Sequence, residues 1–150
     1  MEIFASVDEF SSAGGRDLGA TDWLEITQDR VNLFADATGD HQWIHVDPER
    51  AASGPFGGTI AHGLLTLALL PQFMQQLYRV DGVAMAINYG LNKVRFISPV
   101  PVGAKVRARG TIADVTTFPG GAQGTMVTTI EIDGAEKPAA VIESIIRYVA

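Results

Sequence analysis

"HGLLTLALLPQFMQQLYRV", residues 62 to 80, is the stretch whose reading decides the fold. Its periodicity and length predict the longest helix of the chain. Through its first half that helix is apolar on nearly every face. A surface helix keeps a polar stripe, so a helix apolar all round belongs at the centre of a fold. The stretch lies in a charge-free region: no Asp, Glu, Lys or Arg occurs from Ala51 to Tyr78. A membrane span is a poor explanation. The unbroken apolar core, "LLTLALLP", is far shorter than the ~20 residues that a spanning helix needs. It is flanked by the turn-rich "SGPFGGTIAHG" and by "PQFMQQLY", which carries a proline and glutamines. A buried helix of a soluble fold is expected.

What surrounds this helix sets the architecture. Downstream, "VAMAINYGLNKVRFISPV", "KVRARGTIADVTTF", "GTMVTTIEIDG" and "AAVIESIIRYVA" are β-rich, and "PVPVG", "FPGGAQG" and "DGAEKP" are turn signals between them. The alternation in "TMVTTIEI" and "VIESIIRY" suggests antiparallel strands with one covered face. Upstream, "FASVDEFSSAGG" reads as a short helix ended by Gly14 and Gly15, and "DWLEIT" as a short strand. Thr27 caps a helix over "QDRVNLFADAT", in which Val31, Phe34 and Ala35 share a face and Gly39 is the stop. Asp47 and Pro48 fit the N-cap and first position of another short helix. Helices followed by four strands in series make an α+β chain. An antiparallel sheet wrapped around the central apolar helix is the economical arrangement.

The bulk properties agree. A chain of 150 residues fits one domain, spanning 1–150, and is long enough to bury a core without staples. Hydrophobic residues are 47% and charged residues 19%, which speaks against disorder. A net charge of −6 makes nucleic acid or an anionic membrane an unfavourable main partner. There is no cysteine, so disulfides, thiolate catalysis and Cys-ligated zinc are impossible. The N-terminus has neither the basic start nor the apolar run of a signal peptide, and a cytoplasmic location is expected.

The chemistry concentrates in "GDHQWIH", residues 39 to 45. Two of the three histidines, His41 and His45, lie here with Asp40, and the third, His62, follows in "TIAHG". On a continuous helix Asp40 and His45 would point about 140° apart. They converge only if the chain leaves the helix and curls back, and Gly39 before them and the Asp47–Pro48 cap after them supply such a bend. A carboxylate beside an imidazole is a common general acid/base pair that holds and polarises one water. Spacing alone leaves plainer readings open. Asp40 is also a good turn residue, His45 a possible loop histidine, His41 a solvent-facing or structural one, and His62 a helix-start residue. The histidine spacings match no tight metal motif, and no metal is expected.

"ATGDHQWIHVDPERAA", followed by "GPFGGTIAHGLLTLALLP", resembles the MaoC-like dehydratase family, the (R)-specific enoyl-CoA hydratases of hotdog fold. Thr38, Gly39, Asp40, Ile44, His45, Asp47 and Ala51 match the family motif. Gln42-Trp43 stands where most members have Asn-Pro, which is similar to the nodulation protein N-like branch. The resemblance covers essentially the whole chain, including "KVRFISPVPVG".

It implies a hotdog fold, with an antiparallel sheet around a long central helix, and a homodimer joined at sheet edges. It implies reversible syn addition of water to a trans-2-enoyl-CoA, giving an (R)-3-hydroxyacyl-CoA, within fatty acid metabolism. Carried over by position, the catalytic pair is Asp40 and His45, and the thioester oxygen meets the backbone N–H of Gly63. A helix N-terminus offers free N–H groups there. His62 has a supporting role, and Gln42 and Trp43 border the acyl pocket. Lys93 and Arg95 are candidates for the CoA phosphates, or simply two surface charges on a strand. The partner is an acyl-CoA thioester; no separate cofactor is implied, since coenzyme A is part of the substrate. Two alternatives are a hotdog thioesterase and a non-catalytic acyl-thioester-binding subunit of a dehydratase complex. The first usually places a carboxylate on the central helix, and none occurs between His62 and Tyr78. The second is disfavoured by the intact Asp40/His45 pair.

Overall fold

In the computed structural model, which describes residues 1–150, the chain enters through strand β1 (Glu2–Phe4) and helix α1 (Val7–Ser11). Ser6 caps α1 by accepting the Glu9 N–H, while the Glu9 carboxylate accepts the Ala5 N–H. The N-terminal helix is therefore shorter than "FASVDEFSSAGG". Phe4 is drawn into β1, and the helix is over by Ser12. Strand β2 (Asp17–Ala20), which no sequence signal announced, and the two-residue β3 (Leu24–Glu25) follow. All that "DWLEIT" contributes to the sheet is this two-residue ladder against a later strand.

Helix α2 (Gln28–Thr38) begins at Thr27, whose hydroxyl accepts the Arg30 N–H. It ends at Gly39, in the left-handed region with φ 80°, where glycine has no Cβ to clash. Two short helices come next, α3 (Trp43–Val46) and α4 (Pro48–Ala52). Asp47 caps α4 as its sequence suggests.

The apolar run 62–80 folds as two successive helices and a strand, not as one helix. Helix α5 (Gly63–Ala68) and helix α6 (Leu70–Leu77) are separated at Leu69, and β4 (Tyr78–Val80) takes the last residues. Pro71 explains the break. It has no N–H to return to the Leu67 carbonyl, although Leu69 N–H to Leu65 O and Phe73 N–H to Leu69 O carry the rod through. β4 forms because β1 pairs with it in parallel, Glu2 opposite Tyr78.

Strands β5 (Met85–Phe96), β6 (Lys105–Phe118), β7 (Gly121–Ile132) and β8 (Ala140–Val149) build the sheet in the order β2-β6-β7-β8-β5, all antiparallel, with β3 also on β6. The turn expected across "FPGGAQG" is confined to Pro119 and Gly120. Pro119 presets φ, and Gly120 takes φ 91°. Gly121 and Gly124 already belong to β7, where their missing Cβ atoms make room. A Cβ at Gly124 would stand 2.8 Å from the Phe10 ring.

The sheet wraps the helical rod, which is the hotdog arrangement. Leu65, Leu69 and Phe73 pack on Ala108, Ile130 and Ile142. At the far end Leu77 comes down on Gly110, whose added Cβ would lie 2.9 Å from it. A second cluster closes that end: Phe10 meets Phe4 and Tyr148 edge-on and stacks on Tyr78. Alternate residues of β7 are buried along its whole length. β5 differs. It is a sheet edge, paired only with β8, and Met85, Ile87, Tyr89, Leu91 and Phe96 on it are exposed.

Candidate active site

Gly39 ends α2 and turns the chain so that Asp40 leaves the helix axis. The Asp40 carboxylate accepts the Gln42 N–H at 3.4 Å, a long contact that fixes the start of α3. α3 then presents His45 inward, where the residue is 7% exposed. The segment before α5 lies over it and is held by backbone bonds: Ile60 N–H to Ile44 O, Ala61 N–H to Val100 O, Val102 N–H to Thr59 O. His45 Nδ1 is 2.7 Å from the Ile60 carbonyl oxygen. That oxygen only accepts, so Nδ1 carries a proton, and in this tautomer the lone pair is on Nε2.

His62 is 2% exposed, and its ring stacks on His45, with centroids 3.9 Å apart and planes 23° from parallel. Its Nε2 lies 2.9 Å from the Asp40 carbonyl oxygen. Asp40, His45 and His62 each bring a nitrogen or carboxylate oxygen to within 4.8 Å of the others. A water making two hydrogen bonds of about 2.8 Å spans a gap of this size. A metal ion is badly served by the same three residues. Ring lone pairs lie in the ring planes, and two stacked, nearly parallel rings cannot aim both at one ion.

Gly63, the residue after His62, opens α5, and the first N–H groups of a helix have no partner within it. The Phe96 ring covers this glycine, and a Cβ there would stand 3.2 Å from it. Trp43 is part-buried between the Arg50 guanidinium, 4.4 Å from its ring centroid, and Gly54, where a Cβ would meet the ring at 3.0 Å. Gln42 is exposed at the start of α3.

The structure does not bring every candidate together. His41 points out to Asp36, 3.0 Å away, and that hydrogen bond raises its imidazole above the usual pKa. Lys93 and Arg95 pair with Glu143 and Val141, on the sheet face opposite Val94, which packs into the core, and Phe96. They are exposed, with no side-chain contact to Asp40 or His45.

Two supports have no signal in the sequence. One is the Ile60 carbonyl, a backbone group. The other is Gln28, whose Nε2 donates to the His45 carbonyl at 2.8 Å while its Oε1 accepts from the Thr59 hydroxyl at 2.6 Å. Alongside the helix rod runs a cavity of about 740 Å³. Leu67, Pro71, Met74, Leu91 and Ile146 line it, and Tyr148 closes it with its hydroxyl on that of Tyr78 at 2.7 Å. It begins one helical turn beyond Gly63 and does not include the Asp40/His45 pair.

Comparison with known proteins puts this geometry in context. Residues 9–134 match the family model described as MaoC like domain. The chain is 61% identical to 3-hydroxyacyl-thioester dehydratase Z of Mycobacterium tuberculosis, over 100% of both chains. It is 46% identical to nodulation protein N of Rhizobium meliloti, over 89% of this chain and 85% of that one. Among solved structures, an (R)-hydratase from A. caviae involved in PHA biosynthesis superposes with a TM-score of 0.72 at 26% identity, covering 89% of this chain and 94% of that one.

Proposed function

The chain belongs to the MaoC-like dehydratase family, and we propose on that premise that it adds water reversibly to trans-2-enoyl thioesters, giving (R)-3-hydroxyacyl products. The observation that supports this most is the ring of His45. Its Nδ1–H is tied to the Ile60 carbonyl, which leaves the lone pair on Nε2, and a ring nitrogen of His45 lies within 4.8 Å of an Asp40 carboxylate oxygen. A water held between the two is polarised as a nucleophile. Its oxygen bonds to C3, the C2–C3 π electrons move onto C2 and the thioester oxygen, and the proton taken from water returns to C2 on the same face. Both parts of one water end on the product, so no co-reactant is needed.

Negative charge on the thioester oxygen needs a donor, and the Gly63 N–H at the head of α5 is our candidate. A pair of substitutions isolates it. Gly63→Ala and Gly63→Pro both place a Cβ under Phe96, but only proline removes the N–H. Proline is at home in the first position of a helix. The proline variant is expected to lose roughly 10²–10³-fold in kcat relative to the alanine variant. Equal rates in the two would remove Gly63 from this role.

The acyl chain is assigned to the cavity beside α6, whose ~740 Å³ lies in the range of ligand pockets. Its lining is mostly apolar, and it starts one turn from Gly63. A panel of purified trans-2-enoyl-CoAs from C4 upward tests function and assignment together. Water addition followed at the enoyl absorbance should yield the (R) product. kcat/KM should rise with length by up to about fourfold per methylene, since burying each CH₂ stabilises by ~0.8 kcal/mol. Failure to hydrate any member would overturn the function; a flat profile would overturn only the assignment.

The partner is a second copy, joined through β5. A long, apolar, unpaired edge strand is a template for further pairing, and here it exposes Ile87 and Tyr89 on one face and Leu91 and Phe96 on the other. Ile87→Lys with Leu91→Lys should convert a dimer to a monomer in sedimentation equilibrium. A wild-type monomer would contradict this pairing. No helix of the chain is long and apolar enough to cross a membrane.

A further inference from the structure

His62 poses a problem that its neighbours do not. It is buried to 2% exposure, yet its Nδ1 has no hydrogen-bond partner. Buried polar atoms without partners are rare because they lose water and gain nothing. An apolar residue would fill the same space without that cost. What only this side chain provides is its other nitrogen, 2.9 Å from the Asp40 carbonyl oxygen. A carbonyl accepts, so Nε2 carries the proton and Nδ1 is the bare nitrogen. A second proton on Nδ1 would put an unpaired N–H and a charge in a dry position against another imidazole. With Nε2 donating, His62 takes the tautomer opposite to that of His45.

The ring does a second thing. It lies flat on His45 at 3.9 Å, and Phe34 backs it at 4.9 Å on a tilt. His45 is tied by one end only, through Nδ1 to Ile60. Its Nε2 end would swing about that bond without a wall beside it. Asp40 is exposed, just after a left-handed glycine, so its backbone has no helix to hold it. One side chain thus contacts both partners, the backbone of Asp40 by hydrogen bond and the ring of His45 by its face.

We propose that His62 is a positioning residue, a neutral imidazole that sets the distance between Asp40 and His45 without itself exchanging a proton with substrate. This rests on the reading of Asp40 and His45 as the reacting pair. Displacing a reacting group by about 1 Å costs on the order of 10²-fold in rate. The two contacts are separable by substitution. Gln carries an amide nitrogen out to the place of Nε2 and keeps the hydrogen bond without the ring. Phe keeps the ring face without the hydrogen bond. Ala keeps neither.

The test has two parts. Ring ¹⁵N NMR of the wild-type protein, simplified by the presence of three histidines, reads the tautomers directly. The expected result is Nε2–H for His62 and Nδ1–H for His45. An Nδ1–H or doubly protonated His62 at neutral pH would overturn the proposal, even if the variants do not fold. Kinetics come second. His62→Ala should lower kcat about 10–100-fold with KM little changed, and His62→Gln and His62→Phe should each restore part of the loss. A His62→Ala enzyme at the wild-type kcat, or one whose loss neither variant restores, would also sink it. Wild-type protein that hydrates no enoyl thioester would instead refute the hydratase reading, and the NMR result would still decide whether His62 holds its neighbours as described.

Discussion

In the His45→Gln enzyme, kcat for hydration of crotonyl-CoA is expected to fall by roughly 10²–10⁴-fold, the range over which a positioned acid/base group acts. Glutamine is the chosen replacement because it is polar and of comparable reach, yet has no lone pair basic enough to take a proton from water. The buried site loses one hydrogen bond, His45 Nδ1–H to the Ile60 carbonyl, so the protein should remain folded, with an unchanged circular dichroism spectrum. Asp40→Asn should cause a loss of the same order. If the two residues act on one water, the double variant should be scarcely worse than either single one, because residues that work as a unit are not additive. His41→Ala supplies the control. That histidine directly follows the pair's first member, is charged more readily than usual because Asp36 bonds to it, and faces solvent. It should hydrate at the wild-type rate. Wild-type activity in both His45→Gln and Asp40→Asn would refute the pair.

Phe10→Ala is expected to destabilise the fold by about 3–5 kcal/mol, the usual cost of emptying a phenylalanine site in a core. Phe10 is fully buried, at 0% exposure. Its ring stacks on Tyr78 at 6.1 Å, meets Phe4 at 5.4 Å and Tyr148 at 4.9 Å edge-on, and fills the space beside Gly124. These neighbours come from β1, β4, β7 and β8, so one ring joins the N-terminal segment to the sheet and to the end of the helical rod. The loss is a large part of the stability of an ordinary domain, ~5–15 kcal/mol, and should appear as a lower urea midpoint with little change in slope. A variant within 1 kcal/mol of wild type would mean that β1 and α1 are not part of the cooperative unit.

Much of this architecture follows from local rules. A helix with no polar face has to be buried, and four β-rich runs in series, two of them alternating, have to cover something. Thr27, Gly39, Asp47 and Pro48 mark helix ends because their side chains or φ angles suit caps and little else. The spacing of Asp40 and His45 around a helix stop points to a bend, and the family motif gives that bend a chemistry. The places where the sequence misleads are places where a neighbour overrides local preference. Tyr78–Val80 leaves the helix for β4 because β1, some 75 residues earlier, offers its backbone. Gly121 and Gly124 look like turn residues but are strand, and the space of their missing Cβ atoms is taken by the Tyr148 carbonyl and the Phe10 ring.

The sequence by itself determined the apolar helical run at the centre and the antiparallel sheet, because each is carried by residue type at short spacing, while the resemblance to the family motif supplied the candidate pair and the class of reaction. Only the tertiary structure decided how the three histidines divide. His41 follows Asp40 directly and His45 comes five residues on, yet the nearer one faces Asp36 in solvent and the farther one is stacked and buried. The tautomer of His45 depends on the carbonyl of Ile60, and the placing of Asp40 on the ring of His62. A backbone carbonyl is the same in every residue, and contacts across 15 or 22 positions depend on how the chain folds back. No spacing rule within the stretch encodes either.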